Sequence, residues 1–137
     1  MFKTIVLALD GSEGAKKAIP VAVELARAGG GKIVIAHAEE RTIGKGGGPI
    51  HADEKEIRQE LDDLAAELSE QGIEATVRAE DVMVGGPGHV VASIADEVGA
   101  DLIVAGTRGH TALSGLLLGS VTHRLLHIAG RPVLAVP

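Results

Sequence analysis

Thr4-Ile5-Val6-Leu7-Ala8-Leu9, closed by Asp10-Gly11-Ser12, is the stretch on which the fold class turns. It has no polar alternation, as a strand buried on both faces requires, and strands of that kind belong to parallel sheets covered by helices. Reading outward, Ser12 is an N-cap, and Ala15, Ala18, Ile19, Ala22, Leu25 and Ala26 follow at helical spacing until Gly29-Gly30-Gly31. Pro20 lies inside that pattern and predicts a kink, at about 3 kcal/mol unless packing offsets it.

The same alternation continues. Ile33 to Ala38 reads as a second strand, and Glu39 to Ile50 as a glycine-rich mobile loop. From His51 to Gln71 the apolar positions Ile57, Leu61, Leu64 and Leu68 mark an amphipathic helix closed by Gly72. Its charges from Asp53 to Glu70 read as a solvated face. Ile73 to Val84 reads as a third strand at a sheet edge, because Glu74, Thr76 and Arg78 alternate with Ala75, Val77 and Ala79. Gly85-Gly86-Pro87-Gly88 turns into a helix with the stripe Val91, Ile94, Ala95 and Val98, ended by Gly99. Asp101 to Gly106 is a fourth strand, Ser120 to Ala129 a last helix, and Pro132 to Val136 a fifth strand. Right-handed crossovers between parallel strands make this a doubly wound α/β sheet, in which ligands bind at carboxyl ends where the winding reverses. The ends concerned are Asp10, His37-Ala38 and Gly106.

Composition narrows the function. At 137 residues one domain, 1–137, is the economical reading, and the N-terminal apolar run is too short for a signal peptide or a membrane span. The 13 basic and 19 acidic residues give a net charge of −6, which repels a phosphate backbone. With Phe2 as its single aromatic, the chain has no stacking platform, so nucleic-acid binding is not expected. No cysteine is present, which removes disulfides and thiolate chemistry and fits a reducing, cytoplasmic setting without membrane insertion.

The strongest local signal is Gly106-Thr107-Arg108-Gly109, nine residues, then Gly119-Ser120-Val121-Thr122 at a helix start. Glycines let backbone N–H groups approach a polyphosphate closely, and a helix N-terminus offers unpaired donors and partial positive charge. Spacing alone serves a plain strand-to-helix turn equally well. No Gly-Lys-Ser/Thr completes a P-loop, and no G-x-G-x-x-G is present.

These residues resemble the ATP-binding branch of the universal stress proteins, whose G-x2-G-x9-G-[S/T] motif Gly106, Gly109, Gly119 and Ser120 match in full. The resemblance spans the chain: Ile5 to Gly14, Val34 to Ala38 with its His, Gly99 to Val104, Ser114 to Val121, and Pro132-Val133-Leu134. It implies a three-layer, Rossmann-like α/β/α fold of the adenine nucleotide alpha hydrolase-like kind, with strand order 3-2-1-4-5. It further implies ATP, AMP or ADP across the carboxyl edge, with any Mg2+ held by the phosphates, and a homodimer joined through Val133–Val136. By the same resemblance Asp10 holds the ribose and the backbone of Ala38 meets the adenine. Gly106 and Gly109 run along ribose and phosphates, and Gly119, Ser120, Val121 and Thr122 donate to phosphate oxygens. Ala8 stands where many members have proline and Ala105 where several have a larger apolar residue, which implies a looser adenine pocket.

Each residue also has a plainer reading. Asp10 serves equally as a cap of the first helix, Arg108 and His110 as solvated loop residues, and His37 as a hydrogen-bonded core histidine. His123 and His127 have the i, i+4 spacing of a metal pair but no third ligand nearby in sequence, and His127 suits the helix C-terminus. Hydrolysis of ATP needs a positioned water and cationic stabilisation, and no residue is clearly nominated for either. The reading is therefore a nucleotide-binding regulatory module in which residues 107–118 order on ATP, with at most slow hydrolysis. The alternatives are an ATPase or nucleotidyl-transfer enzyme using Ser120, Thr122 or Arg108, and a response-regulator receiver. A receiver lacks support here, because Asp10 stands alone after its strand and the fifth strand has no Lys.

Overall fold

In the computed structural model, which describes residues 2–39, 52–82, 84–107 and 120–137, the opening apolar run forms β1 (Thr4–Ala8) at the centre of the sheet. The elements that follow are α1 (Glu13–Lys16), α2 (Ala18–Gly29), β2 (Lys32–Glu39), α3 (Ala52–Glu70) and β3 (Ala75–Asp81). After them come α4 (Pro87–Val98), β4 (Leu102–Gly106), α5 (Ser120–Ile128) and β5 (Val133–Val136). Every strand pair is parallel and the order is β3-β2-β1-β4-β5, the order the resemblance implies.

This order dictates where the helices go. The chain winds from β1 through β2 to β3 in one direction and then crosses back to β4 and β5, so right-handed crossovers put α1 to α3 on one face and α4 with α5 on the other. Period-two alternation in the strands divides the core to match. Ile5, Leu7, Ile33, Ile35 and Val104 pack with Ala18, Ala22, Ala26, Leu61 and Leu68. Val6, Val34 and Ile103 pack with Val91, Ile94, Ala95 and Leu125 on the opposite side. Alanines four apart along α2 leave no side chain to hold the helix off the sheet.

The described boundaries differ from expectation in two instructive places. The helical stretch after Ser12 is interrupted at Lys17 (φ −63°, ψ −20°), so that Pro20 becomes the third residue of α2. In a first turn the missing proline N–H has no intrahelical acceptor to lose, so the penalty expected of an interior proline does not arise. The third strand is shorter than Ile73 to Val84, because the Ile73 N–H bonds Leu68 O at 2.9 Å and closes the turn after α3. β3 does lie at a sheet edge, and β5 forms the other edge. The expected loop falls, beyond Glu39, outside the described residues.

Candidate functional site

The winding reverses between β1 and β4, and the site is built from their carboxyl ends outward. Ala8 pairs with Ala36 of β2 on one side and with Ala105 of β4 on the other. All three belong to the core on the α4–α5 side, and Ala38 packs against the same cluster, two residues past Ala36. Small side chains therefore fill the core at this end of the sheet.

Asp10 follows β1 by two residues. Its Oδ1 accepts from the Ser12 N–H at 2.9 Å and from the Ser12 hydroxyl, while Ser12 Oγ accepts from the Ala15 N–H at 3.1 Å. Ser12 is therefore the N-cap of α1, and Asp10 orients the cap rather than serving as one.

Gly106 ends β4 against the start of α1, where a Cβ would lie 2.7 Å from Gly14 O and 3.0 Å from Ala15 Cα. Glycine is required there by space alone. Its carbonyl accepts the hydroxyl of buried Thr122 at 2.5 Å, and the next N–H, on Thr107, bonds Val136 O at 2.9 Å. Thr122 thus has its hydroxyl hydrogen on the protein. Ser120, Val121 and Thr122 form the first described turn of α5, and the N–H groups of a helix's first turn carry the positive end of its dipole. Gly109, Gly119, Arg108, His110 and the rest of 108–119 lie outside the described residues.

Two buried residues join this edge from the α3 side. His37 is 2% exposed, with Nδ1 2.7 Å from Leu9 O and Nε2 2.7 Å from Glu54 Oε2. That is the hydrogen-bonded core histidine anticipated from its strand position. Glu54 is 7% exposed and corrects the reading of 53–70 as a uniformly solvated face. Its signal was in the sequence, since Glu54 stands three residues before Ile57 and continues the apolar stripe by one turn. On α5 the rings of His123 and His127 meet edge to face with centroids 5.0 Å apart, both residues exposed. Among the described residues no three His, Asp or Glu converge on a metal position, and no helix is long and apolar enough to cross a membrane.

A doubly wound parallel α/β domain whose switch point is built of small residues beside the first turn of a helix is the class that this geometry defines. A model described as "Universal stress protein family" matches residues 1–137. The Thermus aquaticus "Universal stress protein in QAH/OAS sulfhydrylase 3'region" is 37% identical over 138 residues, covering 99% of each chain. Among solved structures, a universal stress protein in complex with cAMP is 28% identical, covers 99% of this chain and 97% of its own, and has a TM-score of 0.72. The universal stress protein from Archaeoglobus fulgidus in complex with dAMP is 25% identical, covers 100% and 98%, and also has a TM-score of 0.72. The chain belongs to the universal stress protein family.

Proposed function

We propose that this protein is an ATP-binding regulatory module of the stress response, cytoplasmic, one domain over 1–137, and homodimeric through Val133–Val136. The observation that carries the reading is the meeting of Asp10, the alanines at the strand ends, Gly106 and the first turn of α5 at one sheet edge. Small apolar residues at the strand ends suit the close approach of a purine. Asp10 would accept from ribose hydroxyls and the backbone of Ala38 would meet the adenine edge. Gly106 and Gly109 would lie along ribose and phosphates, with the N–H groups of Gly119, Ser120, Val121 and Thr122 on phosphate oxygens. The bound cAMP and dAMP of the two related structures support an adenine nucleotide as ligand class. When bound, the nucleotide would supply charge for a Mg2+ to rest on, and the chain would bind and orient rather than transform it. The commitment of the Thr122 hydroxyl to Gly106 O supports binding with at most slow hydrolysis.

The test is purification without added nucleotide, acid denaturation and chromatography of the supernatant, beside Asp10→Ala and Gly109→Asp. Adenine nucleotide released by the wild type and missing from both variants is the expected result. No released nucleotide, followed by no ATP binding in titration, overturns the reading. The dimer is carried by the apolar edge strand β5, whose Leu134 is 38% exposed.

A further inference from the structure

Among the described residues the buried polar side chains are His37, Glu54 and Thr122. Thr122 serves Gly106, and the other two have no part in the binding reading. Leu9 O can only accept, so His37 Nδ1 carries a hydrogen and donates to it. The other ring nitrogen, Nε2, meets Glu54 Oε2 at 2.7 Å, so each buried polar group has a partner in the core. The carbonyl thus held belongs to the peptide joining Leu9 to Asp10, whose preceding amide, Leu9 N–H, bonds Ala36 O at 3.0 Å. One turn after Glu54, Ile57 meets the same loop from the same helix. Gly11 sits at φ +83°, and a Cβ there would lie 2.7 Å from Ile57 Cγ1. The start of α3 therefore braces the turn after β1 at two points, by a hydrogen-bonded relay and by close packing.

We propose that His37 and Glu54 are positioning residues that hold the Leu9 to Gly11 turn in the conformation presenting Asp10 to its ligand, an inference that rests on the nucleotide-binding reading above. Glu54 orients the imidazole, the imidazole fixes the Leu9 carbonyl, and the fixed peptide aims the Asp10 carboxylate. The pair acts through Asp10 and touches no ligand.

His37→Gln separates this role from general support. A glutamine amide reaches the Nε2 position and keeps Glu54 partnered, but withdraws the donor from Leu9 O. Glu54→Gln keeps a hydrogen bond to a neutral imidazole and leaves the Leu9 bond in place. ATP affinity is measured by calorimetry in the wild-type and Asp10→Ala backgrounds, together with amide exchange of residues 10–12. His37→Gln is expected to weaken ATP binding about tenfold in the wild type and less than about twofold with Asp10→Ala, because coupled sites are not additive. Glu54→Gln should stay within about twofold, and His37→Gln should deprotect residues 10–12 selectively over β4. Equal losses in both backgrounds, or unchanged protection at 10–12, overturn the proposal. Should the wild type bind no ATP while His37→Gln still deprotects the turn, the nucleotide reading fails and the positioning of the turn stands. If His37→Gln does not fold, His37→Asn with Glu54→Gln replaces it: an asparagine amide takes the Nδ1 place, and wild-type protection at 10–12 is expected, its loss being the contrary result.

Discussion

Gly106→Ala adds a single methyl group at the point where β4 meets the first turn of α1. The new Cβ would lie 2.7 Å from Gly14 O and 3.0 Å from Ala15 Cα, against an ordinary contact of about 3.5–4.0 Å. Neither neighbour is a side-chain tip that can swing aside. Gly106 is held by the Thr122 hydroxyl and Ala15 by the Ser12 cap, so backbone must move by several tenths of an ångström on one side. Overpacking a core costs about 1–3 kcal/mol, and rigid neighbours place this case near the upper end. The alanine also narrows the unfolded ensemble, which offsets about 0.4–1 kcal/mol. The net is about 2 kcal/mol of destabilisation, or a fall in Tm of about 8 °C for a domain of this size. Thermal unfolding by far-ultraviolet circular dichroism, with urea titration for the midpoint, measures it. Gly99→Ala is the control: its Cβ would meet open space, so only the left-handed φ of 63° is strained, at about 1 kcal/mol. A Gly106→Ala protein melting within about 1 °C of the wild type would refute the steric argument.

Thr122→Val keeps the shape but leaves Gly106 O without its donor, so we expect a loss of about 1–2 kcal/mol in urea denaturation, with bound nucleotide retained in chromatography. Asp101 Oδ2 accepts from the Thr4 and Lys3 N–H groups, each at 2.9 Å, and those bonds hold its carboxyl below the usual range. A depressed folded-state pKa gives stability that is present above the unfolded value and lost as pH falls through the folded one. Asp101→Asn should therefore flatten the acid side of the stability profile below about pH 4, read from Tm against pH. Leu134→Glu puts charge on the exposed edge strand, and under the proposed β5 interface light scattering should give a dimer for the wild type and a monomer for the variant at the same concentration.

The layered fold was legible because the strands are short, uninterrupted apolar runs and the helices end at glycines, so period and punctuation agreed. What was not legible depended on contacts between distant segments. Pro20 looked like an interior defect because its effect depends on where the helix restarts, and the restart after Lys17 is set by packing. Glu54 looked solvated because its charge masked its place in the apolar stripe, and its partner in the core, His37, comes from a separate element, β2. Of the candidate site, Ala8, Ala38 and Ala105, singled out through the resemblance, pack in one core cluster. The Thr122 hydroxyl is directed to Gly106 O, which no spacing rule reveals.

The peptide after β4 is gripped by three separate pieces of chain: Gly14 and Ala15 against Gly106, Thr122 on its carbonyl, and Val136 on the following N–H. During synthesis these arrive in order, and the last of them emerges from the ribosome long after β1, β2 and β3 are available to pair. A nascent chain can therefore assemble half its sheet while this junction stays open. This edge of the sheet is completed only when β5 joins it.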